Sequence, residues 1–126
     1  MSNEPLGNLA IRTLAMPADA NPSGDIFGGW VLSQMDIAAS TCAVERANCR
    51  TVTVALDAMS FISPVKIGDI LCVYTELKKA GNTSMDIYVE AWAKRGRLGK
   101  MDKVTEAMFK FVAIDEDGLP TRLPPV

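Results

Sequence analysis

Residues 29–47 read GWVLSQMDIAASTCAVERA. Val31, Met35, Ala38 and Cys42 recur at helical spacing, and Trp30, Ile37 and Val44 form a second apolar set on the same helix. Asp36 is the sole charge before Glu45. A helix that is apolar around nearly its whole circumference is a buried one. This segment is therefore expected to be a central helix, enclosed by the rest of the chain.

Working upstream, Gly28-Gly29 open the helix and bring its first turn close to other backbone. Met16–Asp25 holds two prolines, Asn21, Ser23 and Gly24, which marks a loop with at least one turn. Residues 8–15 alternate loosely, as a first strand would. Downstream, the period changes after Asn48–Arg50. Val52, Val54 and Leu56 alternate with Thr51, Thr53, Ala55 and Asp57 at strand spacing. Further strands are expected at Ile70–Lys78, Thr83–Lys94 and Lys103–Ile114, separated by Gly68-Asp69, Ala80-Gly81-Asn82 and the basic turn Arg95–Lys100. The tail, with Pro120, Pro124 and Pro125, reads as irregular. One helix followed by three or four long antiparallel strands is an α+β pattern, not alternating βαβ units. One helix cannot cover so long a sheet, so the other face or an edge is expected to meet a second subunit.

The 126 residues make one domain, 1–126. A net charge of −2 argues against a nucleic-acid-binding surface. The absence of histidine removes Ser-His-Asp and Cys-His triads and His-based metal sites. Acid–base work must fall to Asp, Glu, Lys, Tyr, Cys or water. Cys42, Cys49 and Cys72 are an odd number without CxxC spacing, as expected of buried thiols in a reducing cytoplasm. The N-terminus lacks the basic and apolar regions of a signal peptide. The longest uncharged run, Ile26–Met35, is ten residues, too short to span a membrane.

Three features could carry chemistry. Asp36 sits two turns into an apolar helix, where burial raises a carboxylate's pKa and suits it to act as a base; it could equally be a satisfied structural residue. The N–H groups at Gly28 and Gly29 could polarise a carbonyl, or the glycines could serve packing alone. Seven residues of helix put them roughly 10–12 Å from Asp36, so the helix does not aim both at one small group of atoms. Lys94, Arg95, Arg97, Lys100 and Lys103 form a basic cluster that could hold phosphate or simply be a solvated hairpin. No P-loop or dinucleotide fingerprint is present.

The run Asp19-Ala20-Asn21-Pro22-Ser23-Gly24-Asp25-Ile26-Phe27-Gly28-Gly29-Trp30, followed by Ser33-Gln34-Met35-Asp36, resembles the hotdog-fold acyl-CoA thioesterases. So do Arg12–Pro17, Val52-Thr53-Val54, Phe61–Val65, Gly68-Asp69 and Thr105-Glu106-Ala107, so that the similarity spans roughly residues 9–124. The resemblance implies a long helix wrapped by an antiparallel sheet of about five strands. It implies homodimers, often assembled into hexamers as trimers of dimers, with active sites at the dimer interface. Asp36 matches the family's catalytic carboxylate, as general base or as nucleophile. Asn21 would orient water or the thioester, the N–H of Gly28 or Gly29 would polarise the carbonyl, and Thr53 would line the site. Ser23 stands where close relatives often carry Asn, which bears on substrate fit, and the chain stops at Val126, short of the longer tail of some relatives. Thr83, Ser84, Lys94 and Arg95 are candidates for coenzyme A phosphates on charge and turn position. Trp30, Met35, Met59 and Phe61 are expected to set pocket depth. The reaction would be hydrolysis of acyl-CoA to free acid and coenzyme A, with no metal and no cofactor beyond the coenzyme A of the substrate. A hotdog dehydratase is disfavoured because those enzymes usually need a histidine. The rival reading is a non-catalytic acyl-CoA sensor on the same fold. The expected location is cytoplasmic, with neither membrane nor nucleic-acid partners.

Overall fold

A computed structural model of the chain describes residues 4–96 and 99–126. Arg97 of the basic cluster lies outside the described residues. Strand β1 (Asn8–Leu14) is followed by helix α1 (Gly28–Ala47) and strands β2 (Thr51–Leu56), β3 (Ile70–Ala80), β4 (Ser84–Arg95) and β5 (Lys100–Ala113). The five strands form one antiparallel sheet in the order β1-β3-β4-β5-β2. The α+β reading, one helix against about five antiparallel strands, is the observed architecture.

The sheet wraps α1 because the helix presents one close-packing stripe. Val31, Met35, Ala38, Ala39, Ala43 and Ala47 are buried. The alanines let the helix backbone approach the sheet, where Met85, Ile87, Val89 and Ala91 of β4 and Phe109 and Phe111 of β5 complete the core. Asn48 ends the helix in the left-handed region at φ 53°, a conformation Asn tolerates, and its N–H closes on the Val44 carbonyl at 2.7 Å. Among the described residues no helix is long and apolar enough to cross a membrane.

Two expectations are corrected here. The helix is not buried all round in one protomer: Ile37 is 52% exposed and Val44 46% exposed. A single sheet covers one side of a helix, so the second apolar stripe faces outward. Strand β2 also departs from simple alternation. Its pairing with β5 shifts by one residue between Thr53 and Ala55, a bulge at Val54. Thr53 pairs with buried Phe111 and Leu56 with buried Phe109. The bulge thus turns Thr53 and Leu56 to the same, helix-facing side, whereas strict alternation would place them on opposite sides.

Candidate active site

The site begins with the loop that leads into α1. Asn21 folds this loop on itself: its Oδ1 accepts the N–H of Ser23 at 2.9 Å and that of Asp25 at 3.1 Å. Gly24 completes the turn at φ 89°, in the region that favours glycine. Ile26 N–H reaches the Val65 carbonyl at 2.9 Å, and Phe27 N–H reaches that of Asp19 at 3.0 Å. The loop therefore delivers the chain to α1 in a fixed direction.

Phe27 is the N-cap of α1, and its side chain has no oxygen to accept the first amides. Its carbonyl takes the N–H groups of Trp30 and Val31. The N–H groups of Gly28 and Gly29 find no acceptor among the described residues, which leaves two donors at the positive end of a 20-residue helix. The glycines differ in what they allow. A Cβ on Gly28 would press on the Phe61 ring at 3.2 Å, whereas one on Gly29 would meet nothing within 4 Å. Packing accounts for Gly28; Gly29 faces open space.

Gly29, Leu32, Ser33 and Asp36 lie along one face of α1. With Thr53, Leu56 and Phe109 they line a cavity of about 310 Å³. The Thr53 hydroxyl donates to Asp36 Oδ1 at 2.7 Å. Asp36 is half-buried, not enclosed as the sequence suggested, because it stands where the helix meets the edge strand. Its Oδ2 has no partner among the described residues. The pocket thus joins a carboxylate with one spare oxygen, a hydroxyl that fixes the other, a helix N-terminus two turns away, and apolar walls. This arrangement can take up a proton, stabilise an oxyanion and shelter an apolar chain.

The structure brings Asp36, Thr53 and Gly29 together and adds Ser33, Leu32, Leu56 and Phe109, to which sequence reasoning had given no role in the site. Ser33 was within reach of it, lying three residues before Asp36 on the same helix face. Asn21 and Ser23 do not line the cavity of their own protomer. Trp30, Met35, Met59 and Phe61 do not line it either. Met35 is fully buried, and Met59 borders a separate cleft beside Tyr88 and Met108.

The proposed phosphate ligands separate. Thr83 and Ser84 stand at the start of β4, and Lys94 and Arg95 at its end. Twelve residues of strand span roughly 35 Å, so one protomer cannot grip one ligand with both pairs. Arg95 is also committed elsewhere: Nε donates to Asp69 Oδ2 at 3.1 Å, Nη1 to Asp102 Oδ2 at 3.1 Å, and Nη2 to the Pro64 carbonyl. Lys103 is paired with Glu90 and Glu106. Lys94 is the member of that quartet left with a free cation among the described residues. Charge spacing in the sequence could not reveal Asp69 as a partner 26 residues away.

Comparison with known proteins agrees with this geometry. Residues 23–100 match the family model described as the thioesterase superfamily. The chain is 50% identical to the acyl-CoA thioester hydrolase YciA of Salmonella typhimurium, over 98% of this chain and 96% of that one. It superimposes with a TM-score of 0.93 on a hexameric thioesterase from Yersinia pestis, at 48% identity, covering 98% of this chain and 100% of the other. A hexameric broad-specificity acyl-coenzyme A thioesterase also gives a TM-score of 0.93, at 44% identity, covering 98% of this chain and 85% of that one. The chain belongs to the acyl-CoA thioester hydrolases of the hotdog-fold thioesterase superfamily.

Proposed function

We propose that the protein hydrolyses acyl-CoA to a free carboxylic acid and coenzyme A, with Asp36 as the general base. The Thr53–Asp36 bond in an apolar cavity is the observation that carries this reading. Asp36 Oδ2 takes a proton from water while the water oxygen bonds to the thioester carbon. The carbonyl electron pair moves onto oxygen, and the oxyanion is held by the N–H groups of Gly28 or Gly29. Collapse of this intermediate breaks the C–S bond, and the departing sulfur takes the proton back from Asp36. With Oδ1 engaged by Thr53, Oδ2 is free to accept the proton from water. The step draws on this chain's own groups and water, with no metal or cofactor beyond the substrate's coenzyme A.

Two copies would complete the site. Val52, Val54 and Leu56 on edge strand β2 are exposed, as are Ile37 and Val44 on the outer stripe of α1. A second copy covering this edge would bury both sets, and it would set its own Asn21 loop and helix N-terminus against Asp36 of the first. Asn21 would then offer its amide N–H to the thioester, since its oxygen serves its own loop. Three such dimers would give a hexamer, the assembly of the two solved relatives. Three thiols without a disulfide among the described residues suit a reducing cytoplasm.

The test is free-thiol release by the wild-type protein from short, medium, long and aromatic acyl-CoAs, with binding of a non-hydrolysable thioether analogue measured in parallel. Thiol release is expected, and the panel then ranks the acyl groups. Tight analogue binding without thiol release from any substrate would replace this reading with that of an acyl-CoA sensor.

A further inference from the structure

Arg95 stands on β4, away from the cavity of Asp36, yet its hydrogen bonds lead to the loop that precedes α1. Each of its three guanidinium nitrogens donates a hydrogen bond. Nη2 holds the Pro64 carbonyl, Nε holds Asp69 and Nη1 holds Asp102. Pro64 and Asp69 bracket the segment 64–69, so one guanidinium ties both of its ends to the β4–β5 hairpin. The segment is closed within itself by the Lys66 N–H, which donates to Asp69 Oδ2 at 2.9 Å. The Asp69 backbone ties it to the end of β1: its carbonyl takes Ala15 N–H at 2.9 Å, while Gly68 N–H donates to the Ala15 carbonyl at 2.9 Å.

From this segment the connection crosses to the loop before the helix. Asp25 and Lys66 form a β-bridge and a side-chain ion pair. Ile26 N–H donates to the Val65 carbonyl, and both residues are buried, at 6% and 2% exposure. Asp25 N–H in turn donates to Asn21 Oδ1. Three residues after Asp25 the helix opens with the uncapped N–H of Gly28. A planar fork with several donors is suited to fixing three acceptors at once, which a single ammonium cannot do.

We propose that Arg95 is a positioning residue for hydrolysis. Through Pro64, Asp69 and the Lys66–Asp25 bridge it fixes the loop carrying Asn21 and the N–H groups of Gly28 and Gly29. This replaces the coenzyme A phosphate role assigned to it from sequence, and it rests on the hydrolase reading above. A positioning residue acts on the chemical step, so its loss lowers kcat whatever the leaving group. A phosphate ligand acts on binding of the nucleotide, so its loss raises KM for acyl-CoA alone.

The experiment compares wild type, Arg95→Met and Arg95→Lys on two substrates with the same acyl group. One is acyl-CoA; the other is an N-acetylcysteamine thioester, which has neither phosphate nor nucleotide. Assays are run well below each variant's melting temperature, so that every chain is folded. Arg95→Met is expected to lose kcat about 10- to 100-fold on both substrates, with KM changed less than about twofold. Arg95→Lys keeps a cation against Asp69 but cannot hold all three acceptors, and is expected to recover only part of that kcat. A large fall in melting temperature produced away from the site, by Glu90→Ala, is expected to leave kcat near wild type. Should Arg95→Met not fold, Arg95→Gln keeps an N–H donor and is expected to give the same split. A KM increase confined to acyl-CoA, or unchanged kcat in folded Arg95→Met, would overturn the proposal. Wild type that releases no thiol from either substrate would instead overturn the hydrolase reading beneath it.

Discussion

Asp36 and Glu90 are carboxylates set on opposite sides of the same sheet, and their surroundings differ in nearly every respect. Glu90 is 2% exposed on the face turned away from α1. It accepts the Tyr88 hydroxyl at 2.6 Å, the Trp92 indole N–H at 2.8 Å and the Leu6 N–H at 3.1 Å, with Lys103 Nζ at 3.4 Å. Burial alone would raise its pKa, but the bonds from Tyr88, Trp92 and Leu6 and the charge on Lys103 outweigh burial and hold the carboxyl below its ordinary value of 4.5. Burial, and then the bond to Glu90, push Tyr88 well above its ordinary value. Asp36 has one hydroxyl partner, a spare oxygen and an open cavity beside it. A buried carboxylate saturated with donors is a fastener, because any reaction at it would strand those donors. A carboxylate held by one oxygen and open at the other can exchange a proton. On the proposed mechanism this difference separates structure from chemistry more sharply than burial does, since the more buried of the two is the one assigned a structural role.

The largest effect that would sharpen this contrast is on stability. Glu90→Ala strands the Tyr88 and Trp92 donors and is expected to cost about 3 kcal/mol or more in urea unfolding. The kcat of the protein that remains folded should stay near wild type. Preserved stability would break the contrast from the structural side. Thr53→Val removes the hydroxyl that fixes Asp36 while keeping its shape. It is expected to lower kcat about tenfold, or ~1.4 kcal/mol in the barrier, with little change in melting temperature. Wild-type kcat in this variant would show that Asp36 needs no such partner.

A pH titration gives a subtler separation. The folded pKa of Glu90 lies below its unfolded value, so its stabilisation is complete above pH 4.5 and is lost as pH falls through the lower folded value. Unfolding midpoints measured from neutral pH downward should show that loss in wild type, and much less of it in Glu90→Gln. The smallest effect concerns an exposed pair: Lys110 and Asp86 meet at 3.0 Å on the outer sheet face. Lys110→Met should change stability by about 0.5 kcal/mol or less.

Much of this architecture could be read from the residues. The apolar period of 31–47 specified the helix, alternation specified the long strands, the loop motif led to Asp36 and Gly29, and the resemblance of Val52-Thr53-Val54 led to Thr53. Two kinds of information were out of reach. The bulge at Val54 is a register shift between two strands, and no one-strand pattern records it, yet it turns Thr53 and Leu56 into the same cavity. The partners of Arg95 lie at 64, 69 and 102, so a guanidinium that reads as free positive charge is fully engaged once the strands pair. Neutral period and fixed spacing are local properties; charge pairing and pocket closure are tertiary ones.

The central claim is that Asp36 carries the rate while leaving the fold untouched. Its most direct test is thiol release from a preferred acyl-CoA by wild type and Asp36→Asn, with melting temperatures measured on the same preparations. Asn keeps the size and removes the base. A loss of at least about 10²-fold in kcat at an unchanged melting temperature is the result this account predicts. A folded Asp36→Asn that retains wild-type kcat would contradict it.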